Sequence, residues 1–220
     1  MKIAAQWPRD VRDACANFFG LALRGFDPDI PADARVLEIG CAEYDWLSPA
    51  HEAWPDMSLT GIDWRSRKPK DGFTTVQGDV LVHDFPAESF DWIVSISAIE
   101  HIGLGHYNND PKREDGDTVA LARAWSWLKP GGLLYFDVPW NSGSHAYEVH
   151  GTSHRVYDDA SVMGRLVAPC VGASMRHTVI ALSSASGRAV DAVPRLRGGN
   201  EFYYLGMWLK KPEKVIDAEV

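Results

Sequence analysis

Between residues 35 and 138 the chain runs through five short apolar segments, and most of them close on a glycine or an acid. They are Arg35-Val36-Leu37-Glu38-Ile39-Gly40, then Leu59 to Asp63, Phe73 to Gln77 with Gly78-Asp79 behind it, Phe90 to Ile96, and Leu133 to Val138. Runs of this length, rich in β-branched and aromatic residues and bounded by turn formers, are buried strands. Helical patterns lie between them. Residues 46–54 read as a short helix. Residues 117–128 place Leu121, Ala124, Trp125 and Leu128 on one face, and Pro130-Gly131-Gly132 stops that helix. Ahead of the first strand, Val11, Ala14, Cys15, Phe18 and Leu21 give an amphipathic helix over 8–22, and 25–33 is a loop. Strands alternating with helices specify an α/β fold with a mostly parallel sheet. Beyond it, Tyr157 to Leu166 reads as helical, and Met175 to Leu182 and Phe202 to Leu209 as two last strands. No helix separates those two, so an antiparallel pair at that edge is expected. The irregular stretch from Asn141 to Ser153 is the length of a lid or binding loop.

At 220 residues the chain is expected to form one domain. Its core is read as 33–138, an acceptor-side loop and helix as 139–170, and the last two strands as 171–210. No apolar run reaches the roughly 18–20 residues that span a membrane, and the first ten residues lack a secretory apolar stretch. Cys15, Cys41 and Cys170 are odd in number and irregular in spacing, which argues against a disulfide framework or zinc knuckle and for a cytoplasmic setting. The formal charge of −8 disfavours nucleic-acid binding, which rests on phosphate contacts. The basic run Arg65-Ser66-Arg67-Lys68-Pro69-Lys70 reads as a solvated loop.

In open parallel sheets, ligands bind outside the carboxyl ends of the strands. The residues there are Gly40-Cys41-Ala42 after the first strand, Asp63 after the second, Gly78-Asp79-Val80 after the third and Ser97-Ala98-Ile99-Glu100-His101 after the fourth. A glycine lets the backbone turn tightly and approach a ligand. A strand-terminal carboxylate can take both hydroxyls of a ribose. Alone, each is more often a turn or cap residue; four in this order are a much stronger signal of a ligand site.

With these residues the chain resembles the class I S-adenosylmethionine-dependent methyltransferases. Val36-Leu37-Glu38-Ile39-Gly40-Cys41, Gly61-Ile62-Asp63, Gln77-Gly78-Asp79-Val80, Phe90 to Ser95 and Leu128-Lys129-Pro130-Gly131-Gly132-Leu133 carry the resemblance. It implies a Rossmann-like, seven-stranded, mostly parallel sheet with helices on both faces, an antiparallel edge strand near the C-terminus, and S-adenosyl-L-methionine as cofactor. By position, Glu38 and Gly40 would hold the methionine end, with Cys41 and Ala42 beside them. Asp63 would take the ribose, with Trp64 next to it. Asp79 would meet the adenine amino group, Val80 its ring, and Ser95 or Ser97 would lie under the sulfonium. The family's E-x-G-x-G-x-G loop departs here, with Ala42 and Tyr44 at its second and third glycines. A nicotinamide cofactor is the weaker alternative, because only Gly40 remains of the three glycines of G-x-G-x-x-G.

The segment Glu100-His101-Ile102-Gly103-Leu104-Gly105-His106-Tyr107, with Gly116-Asp117 and His154-Arg155-Val156-Tyr157 further on, is similar to a poorly characterised E-H-x-G-L-G-x-Y branch. That resemblance implies a sugar or other small-molecule hydroxyl as acceptor. Deprotonating a hydroxyl needs a base, and His101, with Glu100 beside it, is best placed. Trp140, His154, Arg155 and Tyr157 are the expected acceptor-side residues. Five histidines fall between 101 and 154, but none shows diagnostic metal spacing, and no metal is assigned. Asp137-Val138-Pro139-Trp140 is similar to the D-P-P-W of adenine-amino methyltransferases, but it follows the fifth strand rather than the fourth. Two other readings compete: a non-catalytic cofactor-binding relative, which Tyr44 motivates, and a nucleic-acid methyltransferase. The sequence leaves the oligomeric state open.

Overall fold

The computed structural model describes residues 29–42, 46–68, 72–107, 110–141, 146–182, 189–191 and 202–213. The expected helix over 8–22 and Tyr44 lie outside the described residues. In chain order the elements are β1 (Arg35–Ile39), α1 (Leu47–Ala53), β2 (Ser58–Asp63), β3 (Phe73–Gln77), β4 (Phe90–Ser95), α2 (Gly116–Trp127), β5 (Leu128–Trp140), β6 (Glu148–His150), β7 (His154–Val156), α3 (Asp159–Ser161), β8 (Ser174–Leu182), β9 (Ala189–Asp191) and β10 (Phe202–Lys210). A 3-10 turn, Ile99–His101, follows β4, and a π-helical turn, Val162–Val167, continues α3.

Eight of the described strands form one sheet in the order β3-β2-β1-β4-β5-β10-β8-β9. The first five are parallel, and β10 and β8 run antiparallel beyond β5, as expected of the last two apolar runs. The short β9 adds an eighth strand on β8. The sequence gives no hint of it, since three residues are too few for a hydrophobic pattern. The sheet order reverses between β1 and β4, which opens a crevice at their carboxyl ends.

Alternate residues of the central strands pack on opposite faces. Leu37, Ile39, Ile93, Leu134 and Phe136 meet α2 and the π turn. Val36, Trp92, Val94, Leu133 and Tyr135 meet α1. Helices therefore cover both faces. Trp46, Trp54, Trp92 and Trp208 fill the second layer, with Trp46 edge-on to Trp92 at 5.3 Å and Trp208 stacked on Trp92 at 6.3 Å.

Two local expectations change. The helix α2 stops at Trp127 but passes into β5 with no intervening loop, because Gly131 adopts φ +74° and the chain at Lys211 pairs with the Gly131–Gly132 backbone. Helix begins two residues after Tyr157, which itself bridges to Trp140. Asp158 then caps α3 through a reciprocal pair of bonds with Ser161. Within the irregular stretch, β6 and β7 form an antiparallel hairpin.

Candidate active site

A cleft of about 640 Å³ lies over the carboxyl ends of the parallel strands. Gly40, Asp63, Trp64, Gly78, Asp79, Val80, Ser97, Ala98 and His101 all line it. Six of the ten expected cofactor residues and the expected base are thus brought to one cavity.

Gly40 has φ +90°, and a Cβ there would lie 2.3 Å from Ala98 Cβ, so only glycine allows the loops after β1 and β4 to approach so closely. Asp63 closes β2 and organises the neighbouring loop. Its Oδ2 accepts the Ala42 N–H at 2.9 Å and its Oδ1 the Arg65 N–H at 2.8 Å. Asp79 holds its own turn by accepting the Leu81 N–H at 2.8 Å. Ser97 is one of two non-glycine residues with positive φ among those described, at 47°. Its N–H donates to Asp137 Oδ1 at 2.8 Å and its hydroxyl to Glu100 Oε1 at 2.9 Å. Backbone in that region is strained and persists only when its surroundings fix it; here two buried carboxyls do so. Asp137 is wholly buried, and burial together with the nearby Glu100 pushes its carboxyl up to about 8.

Four expected cofactor residues lie off the cleft lining. Ser95 is wholly buried and donates its hydroxyl to the Ile39 carbonyl at 3.1 Å, which ties β4 to β1. Glu38 is buried within the sheet. Cys41 is buried, and its thiol is raised to about 12 by that burial and then by Glu38 and Asp63, so it stays protonated. Ala42 contributes its N–H to Asp63 rather than a wall.

His101 lines the cleft with its ring Nδ1 2.5 Å from the Ser153 carbonyl oxygen. Its Nε2 lies 3.7 Å from Glu100 Oε1, and Glu100 is buried. The expected acceptor residues divide. His154 does not line the cleft, but its ring lies 6.3 Å from that of His101. Trp140 is half-buried and donates its indole N–H to Asp159 at 2.9 Å. Arg155 and Tyr157 are wholly buried, which corrects their assignment to acceptor binding. Arg155 donates to the carbonyls of Glu100 at 3.4 Å, Ile102 at 2.8 Å and Glu114 at 3.2 Å. Tyr157 donates to Asp117 at 2.9 Å. Both side chains are committed to scaffolding and cannot reach a ligand.

The basic run is not merely solvated. Arg65 bonds Asp63 and lies over the Tyr107 ring at 4.0 Å, and Arg67 donates to the Cys41 carbonyl. Tyr107, Asp110 and Pro111 also line the cleft. Sequence reasoning missed these residues. The one usable signal was that Arg65 follows the ribose-type acid by two.

A family described as a methyltransferase domain matches residues 6–164. The chain belongs to that family. It is a methyltransferase domain, and its cleft residues fit S-adenosylmethionine as donor: a glycine-only cradle at Gly40 and carboxylates at the ends of β2 and β3. A trans-aconitate 2-methyltransferase from Streptomyces avermitilis is 29% identical over 136 residues, 56% of this chain and 45% of its own length. The chain thus matches less than half the length of that relative. Among solved structures, the 1,6-didemethyltoxoflavin-N1-methyltransferase of Burkholderia thailandensis superposes with a TM-score of 0.57 at 17% identity, covering 82% of this chain and 72% of its own. The N-methyltransferase NodS of Bradyrhizobium japonicum, in complex with S-adenosylhomocysteine, gives 0.55 at 18%, covering 93% and 89%. These likenesses bear on the fold, a Rossmann-like methyltransferase sheet. No described helix is long and apolar enough to cross a membrane.

Proposed function

We propose that the enzyme transfers methyl to an oxygen of a small molecule, with a sugar hydroxyl as the leading acceptor. When bound, S-adenosylmethionine supplies an electrophilic methyl group on its sulfonium. Gly40 leaves room for its methionine end, Asp63 and Asp79 would hold the ribose hydroxyls and adenine amino group, and Val80 would lie against the ring. Ser97, fixed by two buried carboxyls, lines the same cleft as His101.

One observation carries the oxygen reading. The Ser153 carbonyl can only accept, so the His101 nitrogen facing it at 2.5 Å bears a proton, and in the neutral ring the lone pair is on Nε2. An imidazole with its tautomer fixed at a cleft wall is what removal of a hydroxyl proton requires. Glu100, 3.7 Å from Nε2, stabilises the imidazolium that forms. The names of the similar proteins support a small acceptor: trans-aconitate for one and 1,6-didemethyltoxoflavin for another. The net charge of −8 runs against a nucleic-acid acceptor. Free, buried Cys41 and Cys170 accord with a cytoplasmic setting.

The test is transfer of labelled methyl to a panel of hydroxyl-bearing small molecules and sugars. His101→Ala is expected to bind S-adenosylhomocysteine like the parent while turnover falls by about 10²–10⁴-fold. Unchanged turnover would remove the base from this reading.

A further inference from the structure

The cleft is lined at the strand ends by Asp63 and Asp79, and also by His101. Around His101 gather further imidazoles from separate segments. His101 ends the 3-10 turn, His106 lies in the loop behind it, His150 ends β6 and His154 opens β7. The His101 ring is 5.7 Å from that of His106 and 6.3 Å from that of His154, and His154 is 4.9 Å from His150. Tyr107 packs edge-on to His106 at 4.4 Å and carries Arg65 over its ring at 4.0 Å.

Two acids face these rings. Exposed Glu148 is 3.3 Å from His150 Nε2, and buried Glu100 is 3.7 Å from His101 Nε2. Among the described residues, no carboxylate pairs with His106 or His154. Ser153 places its hydroxyl 3.0 Å from His154 Nδ1. Burial, then His150, His101 and His106, hold the proton affinity of His154 down.

Two kinds of ligand gather imidazoles. A metal ion needs nitrogen lone pairs converging on one point at about 2.0–2.1 Å. Among the described residues no group of His, Cys, Asp or Glu is so placed. The rings instead stack in near-parallel pairs, at 8° for His150 and His154 and 20° for His101 and His106. Clustered imidazoles offer several N–H donors when protonated, which suits the several oxygens of an anion. We propose that the histidines flanking His101, namely His106, His150 and His154, dock an anionic group, carboxylate or phosphate, carried by the methyl acceptor. The proposal rests on the cleft being the methyl-transfer site.

An anion stabilises imidazolium, so binding takes up protons, and affinity rises as the pH falls toward 6. The experiment is calorimetric titration of the full chain with citrate and with inorganic phosphate, at pH 8 and pH 6. It is run with and without S-adenosylhomocysteine, in buffers of different ionisation heat. The expected result is binding at least about tenfold tighter at pH 6, with proton uptake. The better probe identifies the anion as carboxylate or phosphate. In a combined His106→Gln, His154→Gln variant, probe binding is expected to fall at least about tenfold while melting temperature and S-adenosylhomocysteine affinity hold. Binding of neither probe, binding independent of pH, or binding untouched in that variant overturns the proposal. If S-adenosylhomocysteine binds and the probes do not, only the anion site falls. If the probes bind as expected and S-adenosylhomocysteine does not, the methyl-transfer reading falls instead.

Discussion

Asp137 shows how one buried carboxyl serves this site. It accepts the Ser97 N–H at 2.8 Å and the Tyr135 hydroxyl at 3.0 Å, and neither bond needs it to be charged. Burial raises its proton affinity to about 8, well above the unfolded value of about 3.9. The sign of the linkage follows. Between pH 4 and pH 8 the folded protein holds a proton there that the unfolded chain has lost. Stability from this group is therefore complete below pH 4 and is lost as the pH rises through 8. Asp137→Asn keeps an acceptor for Ser97 and removes the titration. The melting temperature of the parent relative to this variant is expected to decline steadily from pH 5 to pH 8; parallel pH profiles would show that Asp137 is already ionised in the fold. The sequence placed Asp137 near the end of the fifth strand, but its role was not legible, because Asp137-Val138-Pro139-Trp140 drew attention as a motif.

At the scale of elements, the β6–β7 hairpin is tied to the segment that carries His101. Arg155 of β7 donates to carbonyls on either side of His101, at Glu100 and Ile102, and to Glu114 ahead of α2. Asp117 in the first turn of α2 draws in Tyr157 at 2.9 Å and Arg165 at 2.6 Å, with Arg155 Nε 3.7 Å away. A Gly103 Cβ would lie 2.4 Å from the Arg113 carbonyl, and one on Gly116 2.6 Å from that of Ile102, so the two loop segments touch through backbone. Arg155→Met strips donors from these buried carbonyls and a cation from beside Asp117. Its expected cost is about 3 kcal/mol, a fall of roughly 6–12 °C in melting temperature for a chain of this size. Denaturation at pH 7 checks it, and a loss under about 1 kcal/mol would mean that Arg165 and Tyr157 satisfy Asp117 unaided. The parallel strands were readable because each is apolar through its length, and the strand-end acids because strand direction fixes where they emerge. Glycines 103 and 116 and the pair Arg155 and Tyr157 were visible as a motif, but whether a residue faces ligand or core depends on how a hairpin folds back on a distant helix. No local pattern encodes that. Ser95 failed for a related reason: it alternates with Val94, and strand periodicity alone cannot say which face turns toward the cofactor.

At the scale of the molecule, the cleft takes its lining from loops after four parallel strands, and those strands are held in order only by the complete sheet. Gly40, Asp63, Asp79 and Ser97 come together in the folded state and are scattered over nearly sixty residues in the unfolded chain. A nucleoside cofactor product therefore binds the native protein and not its unfolded chain, and mass action adds its binding energy to global stability. At a hundredfold excess over the dissociation constant the gain is about 2.7 kcal/mol. For a domain of this size that corresponds to a rise of roughly 5–10 °C in melting temperature. S-adenosylhomocysteine is expected to produce this shift and NAD none. The carboxylates at Asp63 and Asp79 suit ribose hydroxyls and an adenine amino group, while the second and third glycines that let a pyrophosphate approach a dinucleotide fold are absent. A shift with NAD and none with S-adenosylhomocysteine would reverse the cofactor assignment. A shift with both would mean that the adenosine moiety alone supplies the binding, and that Ala42 leaves room for a pyrophosphate after all.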